Sequence, residues 1–378
     1  MTKQYWPVTL EVDLAQIRHN IQEIGKRVGE NVCIMAVVKS NAYGHNAYKT
    51  AVAALQAGAS KLAVTYIDEA IYLREKGITV PILILGPSLE DCAADIVKYD
   101  IMQSIGELAL AQSISRQASI QNKPARVNIK VNSGMNRFGV NPAEALDFVK
   151  AVQKLENIEI EGIFTHLSSS YGNTEVTEHQ FEIFNAVIQQ LEANNIHIPY
   201  KHCCNTGGII NFPTMYLNQV RPALMITTSY PAINPQDNMD LHEAMTLKTK
   251  VLSVRAVAAG SPIGYNQMFV TNTPSKMAVI AAGWGDGIPR ELSNIGEVLI
   301  NGSRCPIRGR VMCDHIFADI THLSVDVLPG DEVVIFGKQQ DEFLSCWDWA
   351  KHIGGVSSPI TNRNFITSRV KKIYLNEL

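Results

Sequence analysis

The stretch Val32-Cys33-Ile34-Met35-Ala36-Val37-Val38-Lys39 decides the fold of this chain of 378 residues. Seven apolar residues in a row are typical of a strand buried on both faces of a parallel sheet. The polar segment Ser40-Asn41-Ala42-Tyr43-Gly44-His45 follows and predicts a turn that opens a helix. An amine at the end of such a strand loses hydration, which lowers its pKa and favours Schiff-base chemistry. The alternative is that Lys39 simply extends to water.

Short apolar strands alternate with amphipathic helices over the first two-thirds of the chain. We expect strands at residues 32–38, 62–66, 82–85, 101–104, 126–131, 161–165, 200–203 and 219–226. We expect helices after a cap at Asp13, near 46–58, at 67–77, from Pro142 and at 180–195. Eight strands joined through helices predict an α/β fold, a (β/α)8 barrel of the TIM type. A doubly wound parallel sheet is the alternative.

A second pattern begins after the Pro/Asn/Asp-rich segment 231–237, which is typical of a linker. Strands become short and closely spaced, and Asn301-Gly302 is a hairpin-turn signal. We therefore predict a barrel domain at residues 1–240 and a β-rich C-terminal domain at 241–378. Whether the first few residues pack with the second domain stays open.

The composition excludes several classes of partner. The net charge is -3, the apolar fraction is 46%, and no lysine or arginine cluster resembles a recognition helix, so we expect no nucleic acid and no membrane partner. The first seven residues lack the apolar stretch of a signal peptide. Seven cysteines without a CxxC pair indicate reduced thiols and a cytoplasmic protein.

Chemistry-bearing residues recur where the predicted barrel strands end, and those ends share one rim. They are Lys39, Lys130, Thr165-His166, Asn205-Thr206-Gly207-Gly208 and Arg221. Each alone also fits a solvated rim residue or a helix cap. Together they offer an amine for an aldehyde, donors for a phosphate and a partner for a ring nitrogen, the set that pyridoxal 5'-phosphate (PLP) needs. No paired His/Asp/Glu spacing predicts a metal site.

Motifs in this order resemble those of the alanine racemase family over nearly the whole chain. The matching segments are 36–45, 129–139, 162–166, 220–222, 283–287 and 309–314. The resemblance implies a homodimeric PLP enzyme that interconverts L- and D-alanine, with each active site shared between the barrel of one subunit and the β domain of the other. It also implies two bases on opposite faces of the substrate, Lys39 and the partner subunit's Tyr265.

Further roles follow from the resemblance by position. Tyr43, Asn205, Thr206 and the backbone near Leu224 match the phosphate site, and Arg221 matches the arginine that faces the pyridine nitrogen. His166 matches a residue packed near the ring. Arg137 matches the residue that bonds the phenolic oxygen, and Lys130 matches a lysine that is often carbamylated. Substrate-binding positions are Arg137, Met312, Cys313 and Ile360.

The sequence departs from the family's pattern at several positions, and Ile360 matters most. The family usually has a tyrosine there, so the lost bulk suggests a pocket for serine or a larger side chain, although alanine leads. Two other classes remain open: an amino-acid decarboxylase on the same barrel and a non-catalytic PLP-binding protein. The β-rich region and Tyr265 argue against the latter.

Overall fold

The computed structural model describes residues 5–228, 234–353 and 367–377. The described chain begins with strand β1 (Thr9–Asp13) and helix α1 (Leu14–Val28). The molecule divides into two compact units, one of residues 17–42 and 46–242 and the other of residues 1–16, 43–45 and 243–378. No described helix is both long and apolar enough to cross a membrane.

The unit that contains residues 46–242 is a barrel of parallel strands, as predicted. Its strands are β2 Cys33–Val37, β3 Lys61–Val64, β4 Ile82–Ile84, β5 Met102–Ile105, β6 Ala125–Lys130, β7 Ile158–Phe164, β8 Tyr200–His202 and β9 Gln219–Val220. Each of β2 to β8 pairs with its neighbour along the chain, and β9 pairs with β2. The amide of Arg221 donates to the carbonyl of Cys204 at 2.9 Å and links the segments that follow β8 and β9. The strand predicted at 219–226 is shorter because a 3-10 turn begins at Leu224.

Helices connect the barrel strands. They are α2 Lys39–Tyr43, α3 Ala47–Gln56, α4 Ile67–Glu75, α5 Ala93–Lys98, α6 Leu108–Gln121, α7 Ala145–Gln153, α8 Thr174–Ala193 and α9 Thr206–Asn211. Asp13 caps α1 as expected, since its Oδ1 accepts from the amide of Ala15 at 2.9 Å. Helix α8 begins earlier than the predicted residue 180, because Asn173 caps it by accepting from the amide of Val176.

The core of the barrel is built from side chains of neighbouring strands. Met35, Val37, Ala63, Leu83 and Met102 are buried together. Their backbones are bonded in parallel register, so every second residue of a strand faces this core. The carboxyl ends of the eight strands consequently form one rim, where Lys39, Lys130 and Arg221 lie.

The other unit is a mostly antiparallel sheet. Its later elements are β10 Met245–Val257, β11 Pro262–Ile263, β12 Phe269–Val270, β13 Ser275–Ile280, β14 Glu297–Ile300, β15 Ser303–Arg308, β16 Ile316–Asp319, β17 Glu332–Gln339, β18 Glu342–Leu344, α10 Cys346–Ile353 and β19 Lys371–Leu375. The nine-stranded sheet runs β18-β17-β14-β15-β16-β13-β10-β1-β19. Asn301 and Gly302 have φ of 51° and 73° and form the predicted hairpin turn between β14 and β15. The sequence did not reveal β1, which pairs with β10 and β19.

Candidate active site

Lys39 is followed by a left-handed turn rather than by an ordinary helix start. Residues 40–43 all have φ between 50° and 54°, and none of them is glycine. Each such residue costs roughly 1–2 kcal/mol, so other contacts must hold the turn. The amide of Ala42 donates to the carbonyl of Val38 at 2.9 Å, and Asn41 Oδ1 accepts from the amide of Ala47 at 2.9 Å. Sustained strain of this kind is typical of functional sites.

The Lys39 side chain is half-buried. Burial lowers its pKa from the ordinary value of 10.5, the positive charge of Arg137 lowers it further, and Glu69 acts in the opposite direction. Glu69 lies in the first turn of α4 and accepts from the backbone amides of Ser40, at 2.5 Å, and Thr65, at 2.8 Å. The environment therefore favours the neutral, nucleophilic amine.

Arg221 is buried and bonded to neutral groups. Its Nη2 donates to the carbonyl oxygens of Thr165, at 2.8 Å, and Cys203, at 3.0 Å, and its Nη1 donates to His202 Nδ1 at 2.6 Å. A guanidinium is only a donor, so the His202 proton sits on Nε2, which faces Asn128 Oδ1 at 3.4 Å. Burial lowers the pKa of Arg221 to about 10. The group is therefore a cation at neutral pH.

Further basic groups lie around this arginine. Lys130 is buried, and burial, followed by the charges of Arg221 and Arg137, lowers its pKa well below 10.5. Burial and the same neighbours hold the pKa of His166 well below 6.5. Arg137 itself is exposed and stacks over Phe138 at 5.0 Å. The positive charges of Arg221 and Arg137 make the rim a favourable place for an anionic ligand, while Lys130 and His166 are held toward their neutral forms.

A tight, polar turn opens helix α9 at the same rim. Asn205 caps the helix and accepts from Ser170 Oγ at 2.7 Å. The hydroxyl of Thr206 accepts from the amide of Ala223 at 3.1 Å and so joins the segments that follow β8 and β9. A Cβ on Gly207 would lie 2.7 Å from Ser170 Oγ, so only glycine fits this close approach. Amides at a glycine-rich helix start are suited to a phosphate group.

The remaining predicted residues are distributed as follows. Tyr43 is half-buried and ends the left-handed turn, and Leu224 is half-buried at the start of the 3-10 turn after β9. Tyr265 belongs to the β-rich unit, where its side chain is 64% exposed. Ile360 lies outside the described residues.

Met312 and Cys313 form a half-buried segment of the β-rich unit against the loop 283–287. The amide of Trp284 donates to the Met312 carbonyl at 2.9 Å, and that of Gly285 donates to the Cys313 carbonyl at 3.0 Å. A Cβ on Gly283 would lie 2.2 Å from the Cys313 carbonyl oxygen. The position of the segment is therefore fixed by backbone contacts.

His202 is a site residue that sequence reasoning missed. Its ring stacks on Phe164 with centroids 4.9 Å apart, and burial holds its pKa well below 6.5. The sequence feature that could have identified His202 is its place inside a short strand, residues 200–203, that was predicted to be buried. Its partner Arg221 is 19 residues away, so the contact itself was not visible in the local pattern.

Comparisons with known proteins agree with this architecture. Two family models match, "Alanine racemase, N-terminal domain" over residues 12–231 and "Alanine racemase, C-terminal domain" over residues 244–374. A curated alanine racemase of Halothermothrix orenii is 39% identical over 373 residues, 98% of each chain.

Solved structures show the same likeness. The alanine racemase of Bacillus anthracis with bound L-Ala-P is 31% identical with a TM-score of 0.88, and the match covers 99% of this chain and 96% of that one. The alanine racemase of Bartonella henselae, with covalently bound pyridoxal phosphate, is 27% identical with a TM-score of 0.85, covering 98% and 99%. The chain therefore belongs to the alanine racemase family.

Proposed function

We propose that the protein is a PLP-dependent alanine racemase that interconverts L- and D-alanine. The observation that carries this function is the half-buried Lys39 amine, with a lowered pKa, on a rim that also carries the cations of Arg221 and Arg137. Curated relatives of nearly full length carry the name alanine racemase, so serine racemisation, decarboxylation and non-catalytic binding are not favoured.

The donor set fits PLP. The positive charges of Arg221 and Arg137 suit a phosphate and a phenolate, and the start of α9 at Thr206-Gly207-Gly208 has the composition of a phosphate-binding turn. Lys39 would hold the cofactor covalently. Asn205, Thr206, Tyr43 and the amide near Leu224 would hold the phosphate.

Three residues would contact the cofactor's ring. Arg221, held as a donor by its neutral partners, would face the pyridine nitrogen and leave it unprotonated. His166 would pack near the ring, and Arg137 would bond its phenolic oxygen. PLP, when bound, supplies the electron sink that makes the α-hydrogen of alanine acidic.

Two bases on opposite faces then account for inversion. Lys39 Nζ takes or returns the α-proton on one face, and the partner subunit's Tyr265 does so on the other. The high exposure of Tyr265 in a single chain is consistent with that assignment. The backbone of Met312 and Cys313, with Arg137, receives the substrate carboxylate.

This scheme requires a homodimer with shared sites. A barrel domain at 1–240 binds the cofactor, and a β-rich domain at 241–378 supplies the second base. We place the enzyme in the cytoplasm, without nucleic acid or membrane partners. Whether Ile360 widens the pocket is decided by rates over a panel of amino acids.

Lys130 is the candidate for carbamylation. A buried lysine with a strongly lowered pKa is a neutral amine, the form that reacts with carbon dioxide. The resulting carbamate would supply a negative charge beside the cations of Arg137 and Arg221.

The function is tested with the purified enzyme and its Tyr265→Phe variant. We expect a visible absorbance band that borohydride removes, and conversion of either alanine enantiomer into the racemate. The variant should keep the band, because Tyr265 does not hold the cofactor, and should lose or bias racemisation. An intact protein without the band would refute the cofactor proposal, and full activity of the variant in both directions would refute the two-base assignment.

A further inference from the structure

A cluster of two histidines and one aspartate lies outside the proposed active site. His19 is on helix α1, and Asp240 and His242 are at the end of the barrel unit. Asp240 follows His19 by 221 positions in the chain. One ligand atom from each lies within 4.8 Å of the others. His19 Nε2 is 3.2 Å from Asp240 Oδ2, and His242 Nε2 is 3.0 Å from Asp240 Oδ1. We propose that His19, Asp240 and His242 form a binding site for a divalent transition-metal ion such as Zn2+.

Buried Asn20 holds the backbone that carries these side chains. Its Nδ2 donates to the carbonyl of His242 at 2.8 Å, and its Oδ1 accepts from the amide of His242 at 2.8 Å. The same Nδ2 also donates to the carbonyl of Ile226 at 3.0 Å. Because Asn20 is fully buried and adjacent to His19, the two ligand-bearing segments are fixed relative to each other before any ion binds. Such preorganisation lowers the cost of binding.

The donor set selects the class of ion. Two imidazoles and one carboxylate suit Zn2+, Co2+ or Ni2+, whereas Mg2+ and Ca2+ prefer sites made only of oxygen. The side chains of His19, His242 and Asp240 are 31%, 46% and 68% exposed, which leaves room for water as the remaining ligand. Solvent exposure also gives the ion a direct entry path.

The present contacts of the two imidazoles are those that a bound ion would replace. The rings of His19 and His242 stack with centroids 4.3 Å apart and planes at 13°. His19 Nε2 lies 2.8 Å from the backbone carbonyl oxygen of Asp240, and His242 Nε2 lies 3.0 Å from Asp240 Oδ1. A single divalent ion bonds both Nε2 atoms while the imidazoles stay neutral. The proposal requires both rings to leave this stack by side-chain rotation, since one ion must meet a lone pair from each.

The test uses the PLP-loaded enzyme, freed of metal with a chelator and titrated calorimetrically with Zn2+. The variants are His19→Gln, Asp240→Asn and His242→Gln. The matched control is His179→Gln, which removes an exposed histidine paired with Glu182 at 3.8 Å elsewhere in the barrel unit. PLP content and racemase activity should be unchanged in all four, because none of these residues belongs to the proposed catalytic machinery.

We expect about one Zn2+ per chain in the wild type and in His179→Gln, with affinity reduced at least about tenfold in each ligand variant. Zn2+ should also raise the thermal unfolding midpoint of the wild type, and not of His19→Gln, because the ion binds only the folded site. The proposal would be overturned if the wild type bound no Zn2+. It would also be overturned if His19→Gln and His242→Gln bound Zn2+ with the affinity of the wild type.

Discussion

Replacing His202 with glutamine separates the charge of this buried histidine from its hydrogen bond. Burial, followed by the charges of Arg221 and Lys61, holds the pKa of His202 well below 6.5 in the folded barrel. The unfolded chain therefore binds a proton that the folded one does not. The contribution of His202 to the free energy of unfolding is therefore complete above about pH 6.5, and it is lost as the pH falls from there toward the pKa of His202 in the folded protein.

The magnitude follows from one proton. With an unfolded pKa of about 6.5, lowering the pH from about 7.5 to about 5.5 removes about 1.4 kcal/mol from the free energy of unfolding. The side chain introduced by His202→Gln cannot titrate, yet its carbonyl oxygen can accept from Arg221 Nη1 in place of the imidazole Nδ1. The variant should therefore lose about 1.4 kcal/mol less than the wild type over this range. His166, whose pKa is also lowered, reduces the free energy of unfolding as the pH falls in both the wild type and the variant, so its contribution cancels in the comparison.

Urea unfolding at the two pH values measures the difference. The signal is far-ultraviolet circular dichroism, because all four tryptophans are in the β-rich unit and their fluorescence does not report on the barrel: Trp6, Trp284, Trp347 and Trp349. The matched control is His197→Gln, the same substitution at an exposed histidine of the barrel unit. A His202→Gln variant with the wild-type pH dependence would refute a neutral His202 and the tautomer assigned to it.

Two further substitutions test contacts within each unit. Glu161→Gln should lower the free energy of unfolding, measured by urea denaturation, by about 3–5 kcal/mol, because it leaves the buried Lys61 without its carboxylate. An unchanged free energy of unfolding would contradict that pairing. Gly283→Ala should cost about 1–3 kcal/mol and raise the KM for alanine, because the new Cβ would displace the Cys313 backbone. The control is Gly172→Ala, whose new Cβ would have no atom within 4 Å. Equal KM values for alanine in Gly283→Ala and Gly172→Ala would exclude Cys313 from the carboxylate site.

The barrel was predictable because each strand carries its own signal. A run such as Val32–Val38 is apolar whichever neighbour it pairs with, and all eight strands appear in the expected order. Strand β1 was missed for the opposite reason. It is a short segment between the N-terminal residues and α1, and its partners β10 and β19 come from the far end of the chain. The segment does alternate polar and apolar residues, with Leu10 and Val12 buried, but so short a run is ambiguous until its distant partners are known.

The turn after Lys39 could not be predicted from residue preferences. Ser40, Asn41, Ala42 and Tyr43 include no glycine, so local propensity opposes four left-handed residues in succession. The turn forms because long-range partners select it, among them the carboxylate of Glu69 on another helix. The cluster of His19, Asp240 and His242 that we propose as a metal site was not predicted for a related reason, because His19 meets Asp240 only after the barrel has folded.

The contacts of Arg221 explain how a buried cation can serve the proposed reaction. A carboxylate partner would cancel its charge, yet the acceptors it meets are the carbonyls of Thr165 and Cys203 and the neutral His202. Even with its pKa lowered to about 10, Arg221 stays protonated near neutral pH. A guanidinium in that state holds its protons and keeps a facing pyridine nitrogen unprotonated. In the proposed reaction, electron withdrawal into the ring would then be weaker, which would disfavour transamination and leave proton return by Lys39 or by the partner subunit's Tyr265 as the productive outcome.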